Sequence, residues 1–277
     1  MKADDIPKYR FPSGVVVGLV FSTIFGFRRS FRQDALRCIQ RLKPPLRLAG
    51  KENIPRSGAC VITVNHYHRT GFGAEWLALG ISAVVPREMH WIMTAEWTAP
   101  GKWYEPLKGL YSRILLKYLS RVYGYTTMPP MPPRLQDLEE RAQSVRKVLK
   151  FAKEHPDFIL GLAPEGRERP GGKLSVPAPG VGRFALLLAG LGSAFVPVGA
   201  CEADGSFCMN FGPAYHLSAP PGLSRDEKDH LAAEIIGRLK MPKQIFSSST
   251  PMLLNLYKPA FSPLLICLKA QSLNNWT

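Results

Sequence analysis

Paired cysteines are missing from this sequence. Its five cysteines are an odd number, they are scattered along the chain, and no two of them form a Cys-x-x-Cys pair. This pattern is typical of a protein of a reducing compartment and argues against a structural zinc site.

Motifs of several enzyme and binding classes are missing as well. No Gly-x-Ser-x-Gly sequence is present, which argues against an α/β-hydrolase. The stretch 166–175 resembles a phosphate-binding P-loop, but Gly172 stands where the P-loop has its lysine. No nucleic-acid-binding motif occurs, and aromatic residues do not alternate with the basic ones as single-strand binding requires. We therefore expect no nucleic-acid partner.

Acidic residues are scarce. Against 36 Lys and Arg there are 21 Asp and Glu, which gives a net charge of +15. Such a charge favours anionic partners, and these include phospholipid headgroups, phosphorylated substrates and nucleic acid. Charge alone does not choose among them.

A long transmembrane run is absent from the amino-terminal region. The uncharged stretch 11–27 has 17 residues, Gly and Pro among them, which is marginal for a bilayer core of roughly 30 Å. Arg28, Arg29 and Arg32 follow it, and this favours an interfacial or re-entrant helix held by anionic headgroups. A buried core helix is the alternative. A cleaved signal peptide is disfavoured, because the preceding residues mix acids with bases and no small-x-small site follows.

Strand-length apolar runs alternate with longer helical patterns from residue 57 onward. Most of the runs are apolar throughout, as in a sheet that is covered on both faces. They predict strands at 60–64, 89–93, 158–162, 195–199 and 207–211 and helices at 74–84, 104–123, 134–154, 181–191 and 224–239. The last helix begins with a capping box, Ser224 and Glu227.

These elements predict an α/β layered domain, with a central, mostly buried mixed sheet flanked by helices. We expect three segments: a basic amino-terminal segment with an interfacial apolar helix (1–47), the α/β domain (48–240) and an irregular apolar tail (241–277).

Polar residues follow two of the predicted strands. Asn65 and His66 come directly after 60–64, and the turn-rich loop after 158–162 holds Glu165, Arg167 and Lys173. In open α/β sheets ligands bind outside the carboxyl ends of the strands. A histidine base beside arginine and lysine, which bind phosphate well, indicates a phosphorylated acceptor.

These motifs, in this order and at these spacings, resemble the glycerolipid acyltransferases of the lysophosphatidate acyltransferase type. The resemblance spans about residues 48–212 and rests on Asn65-His66, the loop Pro164-Glu165-Gly166-Arg167, Gly180 before a helix and Val196-Pro197-Val198 on a strand.

The resemblance implies that an acyl chain passes from acyl-CoA or acyl carrier protein to a hydroxyl of a lysophospholipid, without cofactor or metal. His66 would be the general base, and Asn65, Glu165, Gly166, Arg167 and Lys173 would form the acceptor site. An unperturbed imidazole is neutral enough near pH 7 to accept a proton. The enzyme would be a peripheral or monotopic protein on the cytoplasmic side of an anionic membrane.

The sequence departs from the family at two places. The family has a strand that ends in a phosphate-binding Arg, whose only counterpart here is a doubtful one near 123–133, and we assign no residue to it. The family has an Asp five residues after its histidine, whereas Gly71 occupies that place here. We expect Glu75, four residues further on, to orient His66 directly or through one water. Two alternatives remain: a lipid-binding relative that has lost its catalytic pair, and an acyltransferase with a glycolipid acceptor. A metal held by His66 and His68 is disfavoured, because no third ligand is in pattern.

Overall fold

A seven-stranded sheet forms the centre of the computed structural model, which describes residues 9–98, 101–131, 134–166 and 177–238. Its strand order is β1-β7-β6-β2-β5-β3-β4, and every neighbouring pair is parallel except β6 and β7. The strands are β1 (Arg47–Ala49), β2 (Cys60–Val64), β3 (His90–Thr94), β4 (Thr126–Met128), β5 (Ile159–Leu162), β6 (Ala194–Ala203) and β7 (Ser206–Phe211).

Helices cover both faces of this sheet. They are α1 (Ser13–Phe25), α2 (Phe31–Ile39), α3 (Ala74–Val84), α4 (Glu105–Tyr123), α5 (Leu138–Glu154), α6 (Val181–Ala189) and α7 (Arg225–Arg238). Alternate residues of β2 divide between two cores: Ile62 packs with α2 and α3, and Val61 packs with α5, α6 and α7. The predicted α/β fold with a buried mixed sheet is therefore confirmed.

The element boundaries show where sequence patterns succeed. β2 and α3 lie where the pattern predicts them, and Ser224 and Glu227 form the expected capping box, each accepting from the other's backbone N–H. α5 begins later than predicted, after a short 3-10 helix at Leu135–Asp137, and β6 extends to Ala203.

Helix α2 and strands β1 and β4 were not predicted. Each of the two strands has three residues, too few to show a period. Helix α2 carries the buried carboxylate of Asp34, which Arg29 and the hydroxyl of Tyr123 bind at 2.6–3.0 Å. Charged residues interrupt the apolar pattern of α2, so the sequence does not show which of its faces is buried.

The amino-terminal apolar stretch forms α1, which ends at Gly26 in a left-handed conformation. In the part of the chain that the structure describes, no helix has the length and apolar character needed to cross a membrane. The predicted tail 241–277 lies outside the described residues, and the segment boundaries at 47/48 and 240/241 stay predictions.

Candidate functional site

Asn65 fixes the carboxyl end of β2 to the neighbouring strand β6. Its side-chain amide donates to the carbonyl oxygen of Ala200 at 2.9 Å, and its Oδ1 accepts from the Ala200 N–H at 2.7 Å. The side chain is buried, so both of its polar groups need partners, and the backbone of Ala200 supplies them. Asn65 therefore lies at the predicted site, but its side chain has a structural role, because it joins β2 to β6.

His66 and Glu165 meet because their strands are parallel neighbours. His66 follows β2, Glu165 follows β5, and these strands pair in parallel. The His66 backbone N–H donates to Oε1 of Glu165 at 3.3 Å, and the Glu165 side chain is buried. The structure therefore brings these two predicted site residues together at one edge of the sheet.

The loop after His66 folds into a tight turn. Arg69 and Phe72 exchange two backbone hydrogen bonds at 3.0–3.1 Å, and Gly71 between them has φ +82°. This left-handed conformation favours glycine over residues with a Cβ. Gly71 therefore suits this turn.

The buried side chain of Glu202, on β6, binds this loop. Glu202 accepts from the Arg69 guanidinium at both oxygens, and its Oε2 also accepts from the Tyr67 hydroxyl at 3.2 Å. Burial, with the charge of Glu202 as a further cause, raises the pKa of Tyr67 to about 12. The Tyr67 phenol therefore stays protonated and acts as a donor at neutral pH.

The same carboxylate also binds the segment before α1. The Tyr9 hydroxyl donates to Oε1 of Glu202 at 2.8 Å, and the Tyr9 ring packs edge-on against Phe72 at 4.7 Å between centroids. We call Tyr9, Tyr67, Arg69 and Glu202 the loop clamp. The sequence does not predict this clamp, because Glu202 lies far along the chain from the other three residues and no local pattern links them.

Glu75 lies in the first turn of α3 and is exposed. Its carboxylate folds back over the backbone of Gly73, so that a Cβ added at Gly73 would collide with both oxygens. Its orienting role toward His66, directly or through one water, stays a prediction.

The loop after β5 is described only as far as Gly166, so the predicted site residues Arg167 and Lys173 lie outside the described residues. Gly166 has φ +65°, and an added Cβ would lie 2.6 Å from Cγ of Met131. A residue with a Cβ at position 166 is therefore disfavoured, both by the left-handed backbone and by the contact with Met131. Met131 brings the segment after β4 against the predicted acceptor loop.

A second charged cluster lies near this edge of the sheet. Glu96, two residues beyond β3, is buried and binds Arg113 at 2.6 Å and Arg134 at 3.5 Å, and Arg134 also pairs with Asp137. β4 lies within 123–133, where the resemblance leads us to expect a strand ending in a phosphate-binding Arg, but β4 ends at Met128 and the partly exposed Arg134 comes six residues later.

Comparison with known proteins gives a likeness in fold to solved structures. No protein-family model and no curated protein matches this sequence. Among solved structures, the crystal structure of the 1-acyl-sn-glycerophosphate (LPA) acyltransferase PlsC from Thermotoga maritima matches with a TM-score of 0.46 and 13% sequence identity. The match covers 80% of this chain and 86% of that chain. A likeness of this size carries no argument about activity, which rests on the site residues.

Proposed function

We propose that this chain is an O-acyltransferase that transfers an acyl group from a thioester donor to a hydroxyl of a lysophospholipid. The observation that carries the proposal is the meeting of His66 and Glu165 at the carboxyl end of the sheet, with the Glu165 carboxylate on the His66 backbone N–H. Their residue types, order and loop positions are those of the lysophosphatidate acyltransferase type that the sequence resembles.

In this proposal His66 is the general base. It takes the proton of the acceptor hydroxyl while the hydroxyl oxygen attacks the thioester carbonyl. The carbon–sulfur bond then breaks, and the proton passes from His66 to the departing thiolate. A positioned base of this kind contributes about 10² to 10⁴ in rate. The donor, acyl-CoA or acyl carrier protein, is a co-substrate, and no cofactor or metal takes part.

Glu75 is the proposed orienting carboxylate. Gly71 supplies no carboxylate, and its left-handed backbone favours glycine. Glu75 lies four residues further on, in the first turn of α3, with its oxygens turned back over Gly73 at the start of that helix. A single water between Glu75 and the imidazole of His66 would hold the ring tautomer.

We propose that Arg167 and Lys173 bind the phosphate of the acceptor. The guanidinium of arginine matches phosphate with two parallel hydrogen bonds, and lysine adds a point charge. Together with the net charge of +15, they favour lysophosphatidate as the acceptor. The proposed location is the cytoplasmic surface of an anionic membrane, which α1 contacts.

The experiment is an acyl-transfer assay with labelled acyl-CoA and, in separate reactions, labelled acyl carrier protein. Lysophosphatidate is compared with monoacylglycerol and with a glycolipid as acceptor, for the unaltered protein and for Arg167→Ala. A lost charge-assisted hydrogen bond of about 1.5 to 3 kcal/mol predicts a 10- to 150-fold loss in kcat/KM for lysophosphatidate, with little change for the donor. Arg146→Ala, on the exposed surface of α5, is the matched control.

The possible results separate the candidate functions. Equal losses for acceptor and donor would remove Arg167 from the acceptor site. Turnover of the glycolipid but not of lysophosphatidate would replace the proposed acceptor. The glycine at position 71 favours a second candidate, a lipid-binding relative without activity. Lysophosphatidate binding without turnover of any acceptor would establish that candidate.

A further inference from the structure

Helix α4 leaves an apolar stripe exposed to solvent. Leu107, Leu110, Tyr111, Ile114 and Tyr118 are between 42% and 68% exposed. Their spacing places them on one side of the helix. Three residues that α4 buries, Gly109, Ser112 and Leu116, are on the opposite side, and the buried Val122 lies beyond the stripe at the end of the helix. Scattered apolar residues on a surface are ordinary, but a continuous stripe of this kind marks a binding surface.

Helix α1 packs against α4 and exposes apolar residues of its own. The Arg29 N–H just after α1 donates to the carbonyl oxygen of Val122 near the end of α4 at 3.0 Å, which ties the two elements together. The exposed apolar residues of α1, which are between 45% and 70% exposed, are Val16, Val17, Val20, Phe21, Ile24 and Phe25.

Basic residues predominate on the two helices and beside them. Residues 10–32 and 101–123 together contain nine Lys and Arg and one acidic residue, Glu105, and two of the nine, Arg29 and Arg113, pair with the buried carboxylates of Asp34 and Glu96. Two copies of such a surface would repel each other, and interfaces between proteins are depleted of charge at their cores. Apolar and aromatic side chains flanked by basic ones are typical of helices that lie in the interface of an anionic bilayer.

We propose that α1 and α4 form a single docking surface for an anionic membrane. This inference rests on the proposed membrane association and extends it, because it assigns half of the contact to a helix inside the α/β domain. Trp103, just before α4, is 87% exposed, and Trp97 is also exposed. Both follow β3 at the carboxyl edge of the sheet, the edge where His66 lies. Docking of α4 would therefore bring the lipid surface to the side of the molecule that holds the site.

The test measures binding of the full-length protein to vesicles of phosphatidylcholine with and without phosphatidylglycerol. The double variant Leu110→Glu/Ile114→Glu places charges in the α4 stripe, and Val17→Glu/Ile24→Glu does the same on α1. Leu187→Glu on α6, at 47% exposure, is the matched control. We expect each double variant to lower the vesicle partition coefficient at least tenfold, and the control to leave it unchanged.

Two further readouts report on the same contact. Salt is expected to weaken binding to vesicles that contain phosphatidylglycerol, because it screens the attraction of basic residues to anionic lipid. Trp103 emission is expected to shift to shorter wavelength on binding, and the shift should disappear in Trp103→Phe. Circular dichroism and thermal unfolding show whether each variant keeps its fold.

Specific results would overturn the proposal. If the α1 variant releases the protein from vesicles and the folded α4 variant does not, α4 is no part of the contact, and the proposed function stands. If sedimentation shows a dimer that the α4 variant dissociates without loss of vesicle binding, the stripe is a contact between two copies. If Trp103 is shielded from a soluble quencher before vesicles are added, another part of the chain covers the stripe. Absence of acyl transfer with normal vesicle binding would remove the proposed function alone.

Discussion

The two ends of the sheet each hold a histidine, and the two histidines differ in every property that matters for function. His66 follows the carboxyl end of β2, beside the buried carboxylate of Glu165, in a partly exposed loop. His90 begins β3 near the opposite end, where its ring stacks on Phe151 at 4.0 Å and its Nε2 lies 2.9 Å from the Thr126 hydroxyl. The direction of the strands decides which histidine lies where a ligand binds.

The surroundings of His90 keep it neutral. Burial, with the neighbouring His155 as a smaller cause, lowers the pKa of His90 to about 4. A histidine that is neutral, stacked and hydrogen-bonded stabilises the fold through packing. The comparison teaches that residue type indicates little without its place in the sheet.

The largest expected effect is the loss of turnover in His66→Ala. Removal of a general base predicts a fall in kcat of at least about 10²-fold, with thermal unfolding close to that of the unaltered protein, because the side chain is only partly buried. Acyl transfer to lysophosphatidate measures it. His216→Ala, an exposed histidine after β7, is the control. Near-normal turnover of the folded variant would show that His66 is not the base.

Sequence analysis predicted much of the carboxyl end of the sheet, for physical reasons. Five buried residues, four of them apolar, are followed by a polar pair and mark the end of β2, and the same logic places Glu165 after β5. Since both strands are parallel neighbours, the two predicted residues meet.

The parts that escaped prediction depend on contacts distant in sequence. Arg69 and Glu202 are 133 residues apart, and no local pattern indicates that they pair. Gly71 stands where the resemblance leads us to expect an Asp, and only the structure shows that this glycine lies in the turn between Arg69 and Phe72. Arg134 falls outside any strand pattern, because β4 before it has only three residues.

The loop clamp is expected to make the carboxyl end of the sheet sensitive to a single charge. Glu202→Gln leaves Arg69, Tyr67 and Tyr9 without their charged acceptor, and hydrogen bonds to charged groups contribute about 1.5 to 3 kcal/mol. We expect the free energy of unfolding in urea to fall by about 2 kcal/mol, with turnover reduced as well.

An exposed ion pair at the end of β6 serves as the control for that measurement. Arg47 and Asp204 pair at 3.1 Å with both side chains about half exposed. Such pairs contribute about 0 to 1 kcal/mol, so Asp204→Asn should change the unfolding free energy little. Equal effects of the two variants would mean that Glu202 holds no more of the structure than a surface pair does.

Glu75→Gln sharpens the assignment of the orienting group. If Glu75 holds the imidazole of His66 through a water, loss of its charge should lower kcat at least about tenfold and leave stability unchanged, since Glu75 is exposed. Steady-state acyl transfer across a range of pH measures it. Glu88→Gln, an exposed carboxylate just before β3, is a control away from the site. A loss below tenfold would exclude Glu75 as the partner of His66.

The smallest expected effect is at the amino end of the sheet and concerns stability alone. The pKa of His90 is about 4 in the folded chain and about 6.5 when unfolded, so the unfolded chain binds a proton that the folded chain does not. The stabilisation is therefore fully present above about pH 6.5 and is lost as the pH falls toward 4. Between about pH 7.5 and 6.0 this linkage should lower the free energy of unfolding by about 0.8 kcal/mol. His90→Gln, which keeps a hydrogen-bonding group for Thr126, should remove that part of the pH dependence in urea unfolding and leave kcat unchanged at neutral pH. If His90→Gln lowers kcat as much as His66→Ala does, the contrast between the two ends of the sheet is wrong.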